Sequence, residues 1–175
     1  MPQTPMPQVH PIPPLFDAES RVLILGSFPS IKSREAMFFY GHPQNRFWPM
    51  IAAVTGEPVP DWADIEAKKA IILKHGLAVW DTIGACDIKG ASDASIRNAV
   101  PNDVAALIQK LGVQAVFCNG AASGRIYAKY AEPLTHLPAA VLPSTSPANA
   151  AWSPARLQAA WGAALAPFLR ADGCK

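Results

Sequence analysis

The sequence predicts an α/β protein: a three-layer α/β/α sandwich built on a central four-stranded parallel sheet. Four short apolar runs end near Gly, Pro, Asp or Asn, which is typical of buried strands. These runs are residues 21–26, 76–81, 114–119 and 139–143. Their hydrophobicity is continuous rather than alternating, so helices are expected to cover both faces of the sheet. Helical patterns between the runs give the alternation that defines this fold class.

Five helical patterns fill the intervals, and local residues mark their ends. They span residues 45–54, 62–75, 102–111, 121–130 and 154 to about 169. Asp61 and Ser153 are residue types that cap helix N-termini, and Pro154 suits a first helical position. Gly56 and Gly76 lie just beyond the ends of two of the patterns, where glycine commonly ends a helix.

Composition indicates one globular domain. The chain has 175 residues, of which 50% are hydrophobic, so a sizeable core can form without crosslinks. We expect a Pro-rich lead-in over residues 1–20, a single domain over 21–170 and a tail over 171–175. The lead-in lacks the features of a secretory signal, and no apolar run is long enough to span a membrane. A net charge of +2 is too small to identify a nucleic-acid partner by itself.

Cysteine usage predicts neither a crosslinked nor a metal-bound protein. Cys86, Cys118 and Cys174 lie far apart and show no paired spacing. That argues against a disulfide framework, a structural zinc site or a four-cysteine iron–sulfur cluster. We therefore expect no metal, no cofactor and a reducing, cytoplasmic compartment.

Ligands of open parallel sheets bind beyond the carboxyl ends of the strands. This rule nominates four segments, residues 27–30, 82–96, 119–123 and 144–149. In the first segment, Pro29 fixes a turn that can aim the N–H groups of Ser27 and Phe28 at a polar ligand. Gly26, just before it, permits close approach of the backbone. An ordinary strand-to-loop turn is the alternative.

Residues 37–48 combine aromatic and polar side chains immediately before a helix. Aromatic faces stack nucleobases, and an amide can orient a water or bind a base edge. A glycine and a proline inside the segment indicate a loop, which favours functional roles for Tyr40 and Asn45. Phe47 and Trp48 are predicted to belong to the core.

The last two nominated segments carry small polar groups. Asn119 ends the third strand and offers both a donor and an acceptor to a base edge, although an asparagine there can equally cap the next helix. Residues 144–149 place hydroxyl side chains between prolines in a rigid loop whose donors suit phosphate oxygens. A plain surface loop is the alternative.

Taken together and in this order, these segments resemble the uracil-DNA glycosylase superfamily. The Gly-x-x-Pro turn at 26–29 and the Ser-Pro loop at 146–147 are similar to its first and last motifs. His-Pro-Gln-Asn-Arg-Phe-Trp at 42–48 resembles the mismatch-specific uracil-DNA glycosylases. The fuller pattern resembles the hypoxanthine-DNA (deoxyinosine) glycosylases over roughly residues 20–169. It adds Phe-Phe-Tyr-Gly at 38–41, Trp-Asp-Thr-Ile-Gly at 80–84, Ile-Arg-Asn at 96–98, Pro-Asn-Asp at 101–103 and Ser-Thr-Ser-Pro-Ala-Asn at 144–149.

The resemblance implies a monofunctional DNA glycosylase. Such an enzyme flips a deaminated base out of the helix and hydrolyses its N-glycosidic bond, leaving an abasic site. Hypoxanthine ranks first as the substrate, and uracil and xanthine stay open. The implied partner is DNA containing deaminated bases, bound by a monomer without a metal, an iron–sulfur cluster or a membrane.

The resemblance also assigns roles to single residues. Phe28 occupies the position at which mismatch-specific enzymes carry a catalytic Asn, and residues 26–30 contain no carboxylate. The resemblance to the hypoxanthine enzymes therefore implies that Asn45 positions the attacking water. His42 stays open as an alternative donor. Base binding falls to Ser27, Phe28, Tyr40 and Asn119, and DNA binding to Ser144, Thr145, Ser146, Pro147, Ala148 and Asn149.

Charged residues near the same end of the sheet complete the candidates. Lys32 and Arg46 suit phosphate contacts, and solvated surface charge is the alternative. Asp81, Asp87 and Asp93 are interpreted as structural or loop-ordering groups.

Cleavage of an N-glycosidic bond builds positive charge on the sugar and negative charge on the base. An amide is not a strong base, so the reaction at Asn45 requires a highly cationic transition state and a weak pH dependence. A break in the rate near pH 6.5, the ordinary imidazole value, would instead favour His42.

Two other functions remain as alternatives. A non-catalytic binder of damaged or single-stranded DNA would use the same pocket, and the missing polar residue of the first motif makes it the main alternative. An unrelated α/β hydrolase would need a Gly-x-Ser-x-Gly nucleophile turn, which the sequence lacks.

Overall fold

The computed structural model describes residues 7–90 and 92–169. In chain order its strands are β1 (Gln8–Val9), β2 (Val22–Gly26), β3 (Leu77–Asp81), β4 (Ile83–Asp87), β5 (Arg97–Pro101), β6 (Ala115–Asn119) and β7 (Ala139–Leu142). Its helices are α1 (Ile31–Ala36), α2 (Phe47–Thr55), α3 (Ile65–Lys74), α4 (Val104–Leu111), α5 (Ala121–Tyr130), α6 (Glu132–Thr135) and α7 (Pro154–Leu165). None of these helices is long and apolar enough to cross a bilayer.

The central sheet has the predicted form. Strands β3, β2, β6 and β7 lie side by side in that order, and every neighbouring pair is parallel. Along β2, Val22 and Ile24 pack into one apolar cluster and Leu23 and Leu25 into a second, on the opposite face. The predicted three-layer sandwich with a four-stranded parallel sheet is therefore confirmed. Its carboxyl-end edge is where the candidate site lies.

The predicted core aromatic residues are also confirmed. Phe47 and Trp48 are 0% and 4% exposed and belong to the cluster that contains Ile24. The predicted cap at Ser153 is present, because its Oγ accepts a hydrogen bond from the Arg156 N–H at 3.2 Å.

The structure contains a second sheet that the sequence analysis did not predict, and part of it lies in the nominated segment 82–96. Strands β1, β4 and β5 build a second, three-stranded antiparallel sheet in the order β1-β4-β5. These strands are short, partly exposed and interrupted by register shifts. They therefore lack the continuous apolar run that marks the buried strands.

Helix boundaries differ from the prediction for local reasons. Helix α3 begins at Ile65 rather than at residue 62, because Asp64 caps it by accepting from the Ala67 N–H at 3.0 Å. Asp61 instead accepts from the Ala63 N–H in the preceding turn. Helices α1 and α6 were not predicted. They are only six and four residues long, too short to show apolar residues repeating at helical spacing.

Residues 7–20 of the predicted lead-in pack against the sheets. Ile12 is 3% exposed, the Leu15 N–H donates to the Val79 carbonyl oxygen at 2.9 Å, and His10 contacts Asp81. Cys86 and Cys118 are buried free thiols. Cys174 and the predicted tail lie outside the described residues.

Tyr127 tests how much one buried hydroxyl contributes to stability. It is 1% exposed on α5, and its Oη donates to the Leu137 carbonyl oxygen at 2.6 Å. Tyr127→Phe leaves that carbonyl without this donor, so we expect the free energy of unfolding to fall by about 1–3 kcal/mol. Tyr130→Phe, on the same helix, should change it by less than about 0.5 kcal/mol. Urea unfolding measures both, and equal losses would contradict the assignment.

Candidate active site

A cavity of about 1120 Å³ opens at the carboxyl ends of the parallel strands. All four nominated segments contribute to its lining. Small-molecule sites commonly enclose about 300–1,000 Å³, so the space exceeds what one small ligand requires. The sequence candidates that line it are Ser27, Phe28, Tyr40, His42, Asn45, Asn119 and every residue from Ser144 to Asn149. Lys32 and Arg46 are not among the lining residues.

Thr145 joins three of the segments through one buried hydroxyl. Thr145 is 0% exposed. Its Oγ1 donates to Asn45 Oδ1 at 2.9 Å and accepts from Asn119 Nδ2 at 3.0 Å. Its backbone N–H donates to Asn119 Oδ1 at 3.0 Å. Asn119 therefore faces the loop and does not cap the next helix, since the N-cap of α5 is Gly120, which has no side chain.

The amide of Asn45 has a defined orientation. Its Oδ1 accepts from the Phe47 N–H at 2.9 Å as well as from the Thr145 hydroxyl. Because a backbone N–H can only donate, the amide oxygen must be the atom facing Phe47. The Nδ2 group makes no hydrogen bond within the described residues, so Asn45 offers the cavity a donor.

Tyr40 presents a buried hydroxyl and a strained backbone. Its φ is 51°, in the left-handed region that non-glycine residues rarely adopt. Its ring stacks on Phe47 with centroids 4.0 Å apart. The Oη lies near Asp81 and Asn119 but makes no hydrogen bond of ordinary geometry. Burial, with a smaller contribution from the Asp81 charge, raises the pKa of Tyr40, so this group remains a donor.

Asp81, which lines the cavity, forms a buried pair with His10. The Asp81 Oδ2 and His10 Nε2 atoms are 2.7 Å apart, and both side chains are almost fully buried. Gly26 permits this arrangement, because a Cβ there would lie 2.3 Å from Asp81 Oδ1 and 3.2 Å from Tyr40 Oη. A side chain at residue 26 would therefore displace the Asp81 carboxylate.

The first turn leaves two backbone donors available. The N–H groups of Ser27 and Phe28 make no hydrogen bonds to the part of the chain that the structure describes. The Phe28 ring packs against Ile83 and Cys86, so the backbone is the polar part of this residue. His42 adds a third polar group, and its Nδ1 accepts from the Gln44 N–H at 3.1 Å. When neutral, the His42 ring therefore carries its proton on Nε2.

Asp93 reaches the first turn from the loop that follows β4. Its Oδ1 accepts from the Ser27 Oγ–H at 2.8 Å. Partial burial raises the pKa of Asp93 and the charge of Asp81 adds to this, while the Ser27 hydrogen bond and Arg125 oppose it. The sequence interpretation treated this residue as a loop-ordering group.

Hydrogen bonds stiffen the loop at residues 144–149. Ser144 Oγ accepts from the Ser146 N–H at 3.1 Å, and Asn149 Nδ2 donates to the Ser144 carbonyl oxygen at 3.0 Å. The Arg46 guanidinium donates to the carbonyl oxygens of Ser146 and Asn149 at 2.7 and 3.0 Å, and also to that of Trp152. Arg46 thus holds the loop from behind.

The remaining basic candidate lies apart from the cavity. Lys32 is exposed on α1 and pairs with Glu35 at 3.5 Å. The structure therefore does not bring it together with the other candidates.

Sequence reasoning missed several lining or supporting groups. His10 and Trp152 were not considered, and Asp81 and Asp93 were interpreted as structural although both line the cavity. Asp81 ends the parallel strand β3, and Asp93 lies in the segment 82–96 that the strand-end rule nominated, so that rule was the signal that could have found them. Nothing in the sequence marks His10, whose partner lies 71 residues away.

The comparisons agree with this geometry. Residues 13–165 match the family model of the uracil DNA glycosylase superfamily. A hypoxanthine DNA glycosylase of Methanosarcina acetivorans is 34% identical over 146 residues, which covers 81% of this chain and 88% of that protein. Another, from Methanosarcina barkeri, is 28% identical over 113 residues, covering 64% and 71%.

A solved structure extends the likeness to the fold. It is a solution NMR structure of a provisionally assigned uracil DNA glycosylase from Methanosarcina acetivorans. It superposes with a TM-score of 0.76 at 28% identity and covers 93% of this chain and 99% of that one. Because the family model spans most of the chain and the architecture agrees, the chain belongs to the uracil DNA glycosylase superfamily.

Proposed function

We propose that this protein is a monofunctional DNA glycosylase that removes hypoxanthine from DNA. The proposal rests on one observation: the side chains of Asn45 and Asn119 both bind the hydroxyl of Thr145, a residue of the 144–149 loop, and all three residues line the same cavity. The names of the two Methanosarcina relatives support hypoxanthine as the substrate. Uracil and xanthine remain alternative substrates, because each also presents a carbonyl beside an N–H.

In this proposal, donors around the first turn bind the departing base. The N–H groups of Ser27 and Phe28 and the amide N–H₂ of Asn119 can donate into the cavity. Donors that are fixed before the reaction stabilise charge that develops on a leaving group. Because Phe47 covers one face of Tyr40, the base would stack on the opposite face.

Asn45 would position the attacking water. Its free Nδ2 can donate to the water oxygen, which holds the water but does not remove its proton. The bond to the base must then be largely broken before the water attacks. His42 Nε2–H is the alternative donor for this position.

The rim of the cavity would hold the DNA. Pro147 and Ala148 are exposed at the tip of a loop that internal hydrogen bonds stiffen, so they suit insertion into the gap left by the flipped base. Flipping costs a few kcal/mol, least for mismatched or damaged bases. The N-terminus of α5 faces the cavity without an acidic residue in its first turn, which favours a phosphate there. Arg46 would act through the loop it braces rather than by direct contact.

An excision panel tests the proposal. Duplex and single-stranded oligonucleotides carrying one hypoxanthine, uracil or xanthine are incubated with the protein, and abasic sites are then cleaved with alkali. We expect cleavage at hypoxanthine, and none in the matched oligonucleotide that carries adenine. Tight binding of the hypoxanthine duplex without any abasic product would instead support a non-catalytic binder. Cleavage at uracil alone would contradict the proposed substrate.

A further inference from the structure

We propose that Asp93 accepts the proton of the attacking water, an inference that rests on the proposed glycosylase activity. The residue lines the cavity from the loop after β4 and is tied to the first turn through Ser27. Residues 26–30 contain no carboxylate, and Asp93 would supply one from a distant part of the chain.

The first observation is that Asn45 cannot take this proton. Its Oδ1 already accepts two hydrogen bonds, from the Phe47 N–H and the Thr145 hydroxyl. Only Nδ2 remains for a ligand, and an amide N–H₂ group donates without accepting. A water held by Asn45 therefore needs a separate acceptor.

The second observation concerns the carboxylates available. Among the described residues that line the cavity, Asp81 and Asp93 are the carboxylates. Asp81 is 4% exposed, and its Oδ2 lies 2.7 Å from His10 Nε2. Its Oδ1 lies against the Gly26 backbone. Asp93 uses Oδ1 for the Ser27 hydroxyl, whereas its Oδ2 accepts no hydrogen bond within the described parts of the chain.

The proposed step balances without a further reactant. The bond between deoxyribose C1′ and the base nitrogen breaks, and its electron pair leaves on the base. The water oxygen bonds to C1′ while one of its protons passes to the Asp93 carboxylate. Asp93 then releases this proton to solvent, and the base anion takes a proton from solvent, so the net reaction consumes one water.

The proposal predicts an acid limb in the pH profile. Asp93 must be ionised to accept a proton, so the rate should fall as the pH drops through its pKa, which lies above the ordinary aspartate value. Among the described residues, the titratable and charged groups that interact electrostatically with it are Asp81, Arg125, Tyr40 and Cys86. Asp81 raises this pKa and Arg125 lowers it.

Asp93→Asn is the decisive variant. The asparagine oxygen can still accept from Ser27 but cannot take a proton, so the loop tether is kept while the acceptor is lost. We expect the single-turnover excision rate on a hypoxanthine duplex to fall by about 10- to 100-fold. The acid limb of the pH profile should vanish, and the Kd for the duplex should not rise. The control is Asp87→Asn, a carboxylate of β4 that binds Asn98 and does not line the cavity.

The outcomes separate this inference from the proposed function. An active native protein with an Asp93→Asn variant within about twofold of its rate, or with the acid limb retained, overturns the role of Asp93 alone. A native protein that excises none of the tested bases overturns both proposals. The native pH profile needs no variant, so a flat rate through the acid range overturns the role of Asp93 even if Asp93→Asn misfolds.

Discussion

Replacing Asn45 with alanine should slow hypoxanthine excision by about 100- to 1,000-fold, the usual loss when one fixed donor is removed from a reacting site. The variant should fold, because Asn45 is half-buried at a loop and its removal leaves α2 with one uncapped N–H. Single-turnover kinetics on a hypoxanthine duplex measure the loss. Gln44→Ala is the matched control, since this neighbouring amide is exposed and does not line the cavity.

Asn45→Asp distinguishes a donor from an acceptor at this position. One carboxylate oxygen can still accept from Phe47 and Thr145, whereas the group that faces the cavity changes from N–H₂ to oxygen. We expect this variant to be as slow as Asn45→Ala. If Asn45→Asp kept the native rate, excision would not need an N–H donor at residue 45, and the water-positioning role of Asn45 Nδ2 would be wrong.

Thr145→Val should produce the second large loss, about 100-fold, because small displacements of reacting groups cost rates of this order. The substitution removes the hydroxyl that orients both Asn45 and Asn119 and leaves the shape of the side chain nearly unchanged. We also expect the free energy of unfolding to fall by about 1–3 kcal/mol, since buried amide groups lose a partner. Excision kinetics and urea unfolding on the same preparation measure the two effects.

Two companion variants show whether the hydroxyl is responsible. Thr145→Ser retains it and should recover most of the excision rate. Thr55→Val removes a comparable hydroxyl at the end of α2, where it bonds only carbonyls of its own helix, and should leave excision unchanged. Normal excision by Thr145→Val would show that the two amides keep their positions without the shared partner.

The central sheet was predictable because its strands are almost entirely apolar. Strands β2, β3 and β6 are largely buried, and the edge strand β7 is half-exposed but still apolar, so each run stands out from the polar segments around it. The antiparallel sheet was not predictable on the same basis. Strand β5 is exposed or half-buried throughout, and β1 is two residues long. The hydrophobicity pattern of neither strand can be distinguished from that of a loop.

The site was predictable as a place rather than as a set of contacts. The strand-end rule identified where Asn119 and the 144–149 loop would meet, because it depends only on the parallel order of the strands. It could not assign Thr145 as the shared partner, since that depends on side-chain directions across 26 and 100 residues of sequence. The rule also could not show that the Arg46 guanidinium binds carbonyl oxygens of the 144–149 loop, because that too depends on side-chain direction.

The contact between His10 and Asp81 changes how the start of the chain should be handled. His10 precedes residues 13–165, the span that matches the family model, and composition alone would mark it as dispensable. Yet its ring lies 2.7 Å from the carboxylate of Asp81, which lines the cavity. An affinity tag, a surface tether or a trimmed terminus that draws residues 8–12 away would open a path for bulk solvent to this carboxylate. Such a change would alter the chemistry of the pocket without touching any residue of its rim.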